Sequence, residues 1–325
     1  MARVGSVSDA KWTEADIPDQ SGRTAFVTGA NAGLGYETAR ALAERGAHVV
    51  MACRNAQKAD DAAARITALA PSGSVEVLLT DMADLDSVAG SAAQFLAEHE
   101  RLDLLINNAG IMATPHATTP QGFEAQFGVN HLGHFALTAA LLPALAVAGE
   151  GSRVVNVSSN GHKMGKMRFD DLQATSRYRP WTAYFQSKLA NLLFTSELQR
   201  RLTAAGSPTI AVAAHPGGSR TELADKSTSR HPLNLLMQVT RPIAEPLFSQ
   251  SAAMGALPQL HAAAAPGVEG NDYYGPDGLG EMKGHPTKVD RTARAKSVED
   301  AARLWEVSVE LTGADYSTLT PGSEK

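Results

Sequence analysis

Six short apolar runs, separated by longer stretches of helical periodicity, limit the folds open to this chain more than any other feature. The runs are "TAFVT" (Thr24 to Thr28), "HVVMA" (His48 to Ala52), "VEVLL" (Val75 to Leu79), "DLLIN" (Asp103 to Asn107), "RVVNVS" (Arg153 to Ser158) and "TIAVAAH" (Thr209 to His215). Between them lie segments such as "GYETARALAERG", in which apolar residues recur every three or four positions. Strand and helix in alternation mean βαβ units, and hence an α/β fold with a doubly wound parallel sheet and helices on both faces. No break in composition divides the 325 residues and no repeat is present, so one domain is expected over 21–325 behind a loose N-terminal arm, 1–20. The stretch 222–264 is apolar and interrupted by prolines, and it follows a strand end. Ligands bind outside the carboxyl ends of strands in such sheets, so it is read as a substrate-side lid insertion, or else as a helix pair that only packs.

Charge and cysteine content narrow the function. With 29 basic and 34 acidic residues, and no run of Lys or Arg, the chain carries no phosphate-backbone footprint, and nucleic acid is not an expected partner. The single cysteine, Cys53, rules out an intramolecular disulfide and fits a reducing compartment. The N-terminal stretch lacks an apolar core of signal-peptide type and no eighteen-residue apolar run follows, so a cytoplasmic protein without a membrane anchor is expected.

The turn "VTGANAGLGYETA" joins the first strand to the first helix. Gly29, Gly33 and Gly35 allow a tight turn and a close approach of backbone to a pyrophosphate, whose charge meets the helix N-terminus. Asn31 and Leu34 belong to the same cofactor-binding turn, and the fold expected is of Rossmann type. An acidic side chain at the end of the second strand would bind the ribose hydroxyls of NAD. Here "MACRN" puts Cys53 and Arg54 there, and the planar fork of Arg54 suits the extra phosphate of NADP, so NADP(H) is expected in preference to NAD(H). Asp81 and Met82, directly after the third strand, would lie near the adenine, with helix capping as the other reading of Asp81.

Further motifs follow in order: "NNAG" (Asn107 to Gly110), "GVNHLGHF" (Gly128 to Phe135), "VNVSS" (Val155 to Ser159), "YFQSK" (Tyr184 to Lys188) and "HPGGSRTEL" (His215 to Leu223). With the glycine turn they resemble the short-chain dehydrogenase/reductase family over nearly the whole chain, from about Ser21 to Gly313. Through "FDDLQ", "SKLANLLFTSEL" and "LWEVSVELTG" the likeness is closest to its retinol dehydrogenase-like branch.

The resemblance implies a catalytic tetrad of Asn130, Ser159, Tyr184 and Lys188. In it Tyr184 exchanges a proton with the substrate oxygen and Ser159 holds that oxygen. Lys188 assists the phenol and binds the nicotinamide ribose, and Asn130 holds a water. The physical need is plain, because a phenol with a pKa of about 10 requires a nearby positive charge to serve as a base at neutral pH. Lys188 lies one helical turn from Tyr184. The family pattern selects Ser159 over Ser158. It also implies that Asn108, Ala109 and Gly110, together with Pro216, Gly217, Ser219 and Thr221, rim the cofactor cleft, and that homo-oligomers form through the helices bearing Asn130 and Tyr184.

The expected activity is therefore an NADP(H)-dependent oxidoreductase that interconverts a carbonyl and an alcohol on a small to medium apolar small-molecule substrate. A nucleotide-sugar epimerase or dehydratase would carry a TGxxGxxG spacing and a larger C-terminal domain. A non-catalytic NADP(H)-binding sensor or scaffold would be expected to have lost one of Ser159, Tyr184 and Lys188. No metal is expected: His131 and His134 are three apart without a third ligand at metal spacing, and both read as packing residues, as does His215.

Overall fold

Ala25, Phe26 and Val27 of β1 (Thr24–Thr28) have no solvent-exposed surface, so the strand is covered on both faces, as the centre of a parallel sheet must be. The computed structural model describes residues 11–69, 72–218 and 250–319. The other strands are β2 (His48–Cys53), β3 (Ser74–Leu79), β4 (Leu104–Asn107), β5 (Arg153–Val157), β6 (Ile210–Ala214), β7 (Tyr273–Pro276) and β8 (Pro286–Lys288). They lie in the order β3-β2-β1-β4-β5-β6-β7-β8. All neighbours are parallel except the final pair, β7 and β8. The order reverses between β1 and β4, which is the switch point where ligands bind in doubly wound sheets.

Helices α1 (Gly33–Glu44) and α2 (Ala56–Ala68) contribute to the core on one face of the sheet. Helix α3 (Leu85–Glu98), the single turn α4 (Ala125–Phe127), α5 (Gly133–Ala148) and α6 (Pro180–Ala204) belong to the other side. Helices α7 (Ala252–Ala264) and α8 (Val298–Thr312) complete the two layers. Side chains cap several helices: Asn55 accepts from Lys58 N at the start of α2, and Asp84, not Asp81, caps α3. Between α4 and α5 the residues Gly128–Leu132 form one π-helical turn.

Two sequence expectations change. Residues 11–20 are not loose: Ile17 is buried, and the Glu14 carboxylate accepts from both terminal guanidinium nitrogens of Arg40 at 2.7 and 2.8 Å. The end of the expected lid is core, because α7 packs Ala256, Leu257 and Leu260 into the same cluster as α1 and the sheet. The rest of that insertion, 222–249, lies outside the described residues. The helical run Ala125–Ala148 has the length and composition to cross a bilayer, yet 67% of its apolar window is buried inside this domain, as a core helix requires.

Candidate active site

The turn after β1 can exist only with glycine at its close approaches. Gly29 has φ 69°, and a Cβ on it would lie 3.1 Å from Ala109 Cα. A Cβ on Gly35 would overlap the Gly29 carbonyl oxygen and lie 2.6 Å from Asn108 Nδ2. The first turn of α1 is thus pressed against the ends of β1 and β4. Its N-cap is Ala32, whose methyl cannot accept a hydrogen bond, so no N-cap side chain satisfies the first N–H groups of α1 and an anionic ligand could take them. A narrow backbone cradle at an uncapped helix start fits the pyrophosphate of a dinucleotide. Gly33 and the partly buried Asn31 belong to it, and Leu34 is buried beneath.

Thr28 fastens this cradle to the strand end beside it. Its hydroxyl accepts from the backbone N–H groups of Asn108 and Ala109, both at 2.9 Å, and lies 2.9 Å from His134 Nε2. His134 Nδ1 is 3.2 Å from the Asn130 carbonyl, which can only accept, and burial lowers the imidazole pKa to about 4. The ring is therefore neutral with its proton on Nδ1, and Thr28 donates to Nε2. His134 is a buried connector between the glycine turn and the π-helical turn that carries Asn130. Sequence spacing showed the histidine but not this link. His131 is a packing residue as expected, buried among Phe127, Phe135 and Phe194 with Nε2 donating to Ser308 Oγ.

At the ends of β2 and β3, Arg54 and Asp81 face each other, with Arg54 Nη1 3.9 Å from Asp81 Oδ2. Arg54 is 73% exposed, so its guanidinium is available to a ligand at little desolvation cost. Asp81 also accepts from Ala83 N at 3.0 Å. The Met82 side chain is packed in the core beneath the cleft rather than open to it, and its carbonyl touches Gly133. Cys53 is buried, which pushes its thiol pKa up to about 11 and leaves it unreactive.

Ser159, Tyr184 and Lys188 come together at the end of β5 and the start of α6. The Ser159 hydroxyl lies beside the Tyr184 phenol, whose pKa it pulls down against burial, and accepts from Gly161 N at 3.0 Å, opening the turn Asn160–Met164. Ser158 points elsewhere and donates to the Lys188 carbonyl at 2.8 Å. Lys188 Nζ lies 5.9 Å from the centre of the Tyr184 ring and donates to the Val157 carbonyl at 3.1 Å. Gly110 completes the group, since a Cβ on it would lie 3.2 Å from Asn130 Oδ1 and 3.5 Å from Lys188 Nζ.

The electrostatics differ from the simple expectation of an ammonium lowering a phenol. Burial is the largest effect on both groups: it raises Tyr184, with the Ser159 bond opposing, and lowers Lys188 to about 8. Tyr184 is a proton donor at neutral pH, and Lys188 titrates close to it. Asn130 acts as a clamp. Its Nδ2 donates to the Ile111 carbonyl and to Ser187 Oγ, both at 2.9 Å, and its Oδ1 accepts from Ile111 N at 2.8 Å. Both amide protons are engaged, so a water at this residue would have only its oxygens to use.

The loop after β6 is held by groups that sequence reasoning missed. Gly217 N donates to His215 Nδ1 at 3.2 Å, so the proton is on Nε2, which donates to Glu281 at 3.0 Å. Glu281 also takes Lys163 at 2.8 Å, and these partners hold its carboxyl down near a pKa of about 2. Pro216 accepts from Gln250, and Gly218 N donates to the Met282 carbonyl. Ser219 and Thr221 lie outside the described residues.

Comparison with known proteins agrees with this geometry. Residues 23–232 match the family model for short chain dehydrogenase. Human retinol dehydrogenase 12 is 44% identical over 292 residues, covering 90% of this chain and 87% of its own. Mouse polyprenol dehydrogenase is 41% identical over 301 residues, covering 92% and 86%. A Mycobacterium paratuberculosis protein of known crystal structure aligns over 94% of this chain and 99% of its own, with 45% identity and a TM-score of 0.77.

Proposed function

Because the chain belongs to the short chain dehydrogenase family and is an oxidoreductase of retinol dehydrogenase-like sequence, we propose that it interconverts an apolar alcohol and its carbonyl with NADP(H) as redox partner. The observation that carries this reading is the convergence of Ser159, Tyr184 and Lys188 beside Gly110, at the carboxyl ends of β4 and β5 and next to the switch point of the sheet. The dinucleotide, when bound, supplies or accepts the hydride. The protein's part is proton transfer and orientation. Ser159 holds the substrate oxygen, and Tyr184, kept protonated by burial, gives that oxygen its proton in the reducing direction. Lys188 places positive charge behind the phenol as the phenolate develops. Asn130 fixes Ile111 and Ser187 around it.

Arg54 supports NADP(H) over NAD(H). It follows directly on β2, where a carboxylate would serve the ribose hydroxyls, and its exposed guanidinium can pair with a phosphate. The relatives named for retinol and polyprenol support an apolar substrate. So do Met164 and Leu279, both exposed, on the two turns that Asn160 Nδ2 joins by donating to the Gly280 and Glu281 carbonyls. Dissociation constants for NADPH and NADH test the cofactor. A charged hydrogen-bonded contact is worth about 1.5–3 kcal/mol, so Arg54→Glu should weaken NADPH by roughly 10- to 150-fold, while NADH, whose ribose hydroxyls can donate to the new carboxylate, should bind as well or better. Equal binding of the two cofactors by the wild type would refute the assignment.

A further inference from the structure

We propose that His48, Glu76 and His99 form a binding site for a divalent transition-metal ion, with Zn²⁺ as its first candidate. The site is remote from the cleft and does not depend on the proposed reaction. His48 opens β2 and pairs with Ser74 of β3, while Val50 pairs with Glu76. Side chains two residues apart share a face, so His48 and Glu76 are diagonal neighbours on one side of the sheet. His99 reaches the same side from the end of α3, where its ring stacks on Phe95 at 4.7 Å between centroids. The ligand atoms of all three residues lie within 4.8 Å of one another.

Both imidazoles face the same carboxylate. His99 Nε2 is 2.8 Å from one oxygen of Glu76, and His48 Nε2 is 3.5 Å from the other. His48 Nδ1 is hydrogen bonded to Ser74 Oγ at 2.7 Å, and its Nε2 is buried without a hydrogen-bond partner among the described residues. In the tautomer that donates Nδ1–H to the serine, Nε2 presents its lone pair to an ion held between it and the Glu76 carboxylate. This is the outer-sphere contact by which a metal-ligating imidazole is fixed in one tautomer.

Two imidazoles and one carboxylate suit Zn²⁺, which binds such ligands at about 2.0–2.2 Å. Tetrahedral bonds of that length separate ligand atoms by about 3.3 Å, so small side-chain rotations close the present arrangement. The side chains are 31%, 33% and 18% exposed for His48, Glu76 and His99, which leaves a fourth position open to water. Lying at the amino ends of the strands, the ion would tie the edge strand β3 to β2 and α3, so its role is structural.

The test uses tag-free full-length protein stripped with chelator and titrated calorimetrically with ZnCl₂. The wild type should take up one Zn²⁺ per chain and unfold at a higher temperature with the metal than without it. His99→Gln, which keeps a hydrogen bond to Glu76, and His48→Asn should each weaken Zn²⁺ at least tenfold and lose the thermal shift. Ser74→Ala should weaken it about tenfold through the second sphere. Histidine NMR of the wild type gives a readout independent of variant folding: Zn²⁺ should move the ring signals of His48 and His99 and of no other histidine. Failure of the wild type to bind Zn²⁺, unchanged affinity in both histidine variants, or shifts at other histidines would overturn the assignment.

Discussion

Replacing Lys188 by Met should stabilise the protein in the absence of cofactor while removing its activity. Lys188 is 5% exposed, and burial alone lowers its pKa from 10.5 to about 8. A shift of roughly 2.5 units at about 1.4 kcal/mol per unit makes its charged form cost about 3 kcal/mol of stability at neutral pH. Met fills the volume of the stem without the charge. The lost hydrogen bond to Val157 returns about 1 kcal/mol, and that carbonyl keeps a bond from Asn191 Nδ2 at 3.1 Å. The net gain is about 2 kcal/mol, or about 3 °C for a chain of this length.

The sign with pH follows from proton counts. Below pH 8 the lysine is protonated in both states, and the full cost is present. Between pH 8 and 10.5 the unfolded chain holds a proton that the native state has released, so wild-type stability climbs relative to the variant. Above that the advantage of the Lys188→Met variant is gone, and the order reverses by the lost hydrogen bond. Thermal unfolding of both proteins without cofactor at pH 7 and pH 10 measures the difference. A variant less stable than the wild type at pH 7, or a difference that does not change with pH, would refute the reasoning.

Two more perturbations follow from the network around the site. Thr28→Val strands the N–H groups of Asn108 and Ala109 and the Nε2 of His134, and should cost about 2–4 kcal/mol in urea unfolding; a loss below about 0.5 kcal/mol would show that the hydroxyl does not hold the strand end. Glu281→Gln should cost about 1–2 kcal/mol at pH 7, discounted for its partial exposure, because the depressed carboxyl contributes stability above its unfolded pKa of 4.5 that fades as pH falls through about 2. The gap between wild-type and variant urea midpoints should therefore be smaller at pH 3 than at pH 7, and a gap that is constant with pH would contradict the ion-pair account.

The sheet was legible in the sequence because its strands are buried on both faces and read as unbroken apolar runs, and each of the six expected segments begins or ends within one residue of an observed strand. The glycine cradle was legible because close backbone contact at Gly29 and Gly35 admits no other residue. The π-helical turn was not, since "GVNHL" has nothing in its composition that separates it from a regular helix. The burial that dominates Tyr184 and Lys188 was hidden for a similar reason: periodicity gives a shared helix face but not its depth. The clamp of Glu281 on His215 and Lys163 joins residues 66 and 118 positions apart, and no local pattern foretells it. His48, Glu76 and His99 escaped notice likewise, because strand register and a helix end bring them together rather than motif spacing.

The most direct test is the rate of NADPH oxidation with all-trans-retinal and other apolar aldehydes, measured for the wild type and Tyr184→Phe with NADPH binding determined on both. Loss of a positioned proton donor costs about 10²- to 10⁴-fold, so the variant should bind NADPH as the wild type does and lose turnover by that factor. Turnover that survives in Tyr184→Phe would show that the proton comes from another group and that the assignment of Ser159, Tyr184 and Lys188 is wrong.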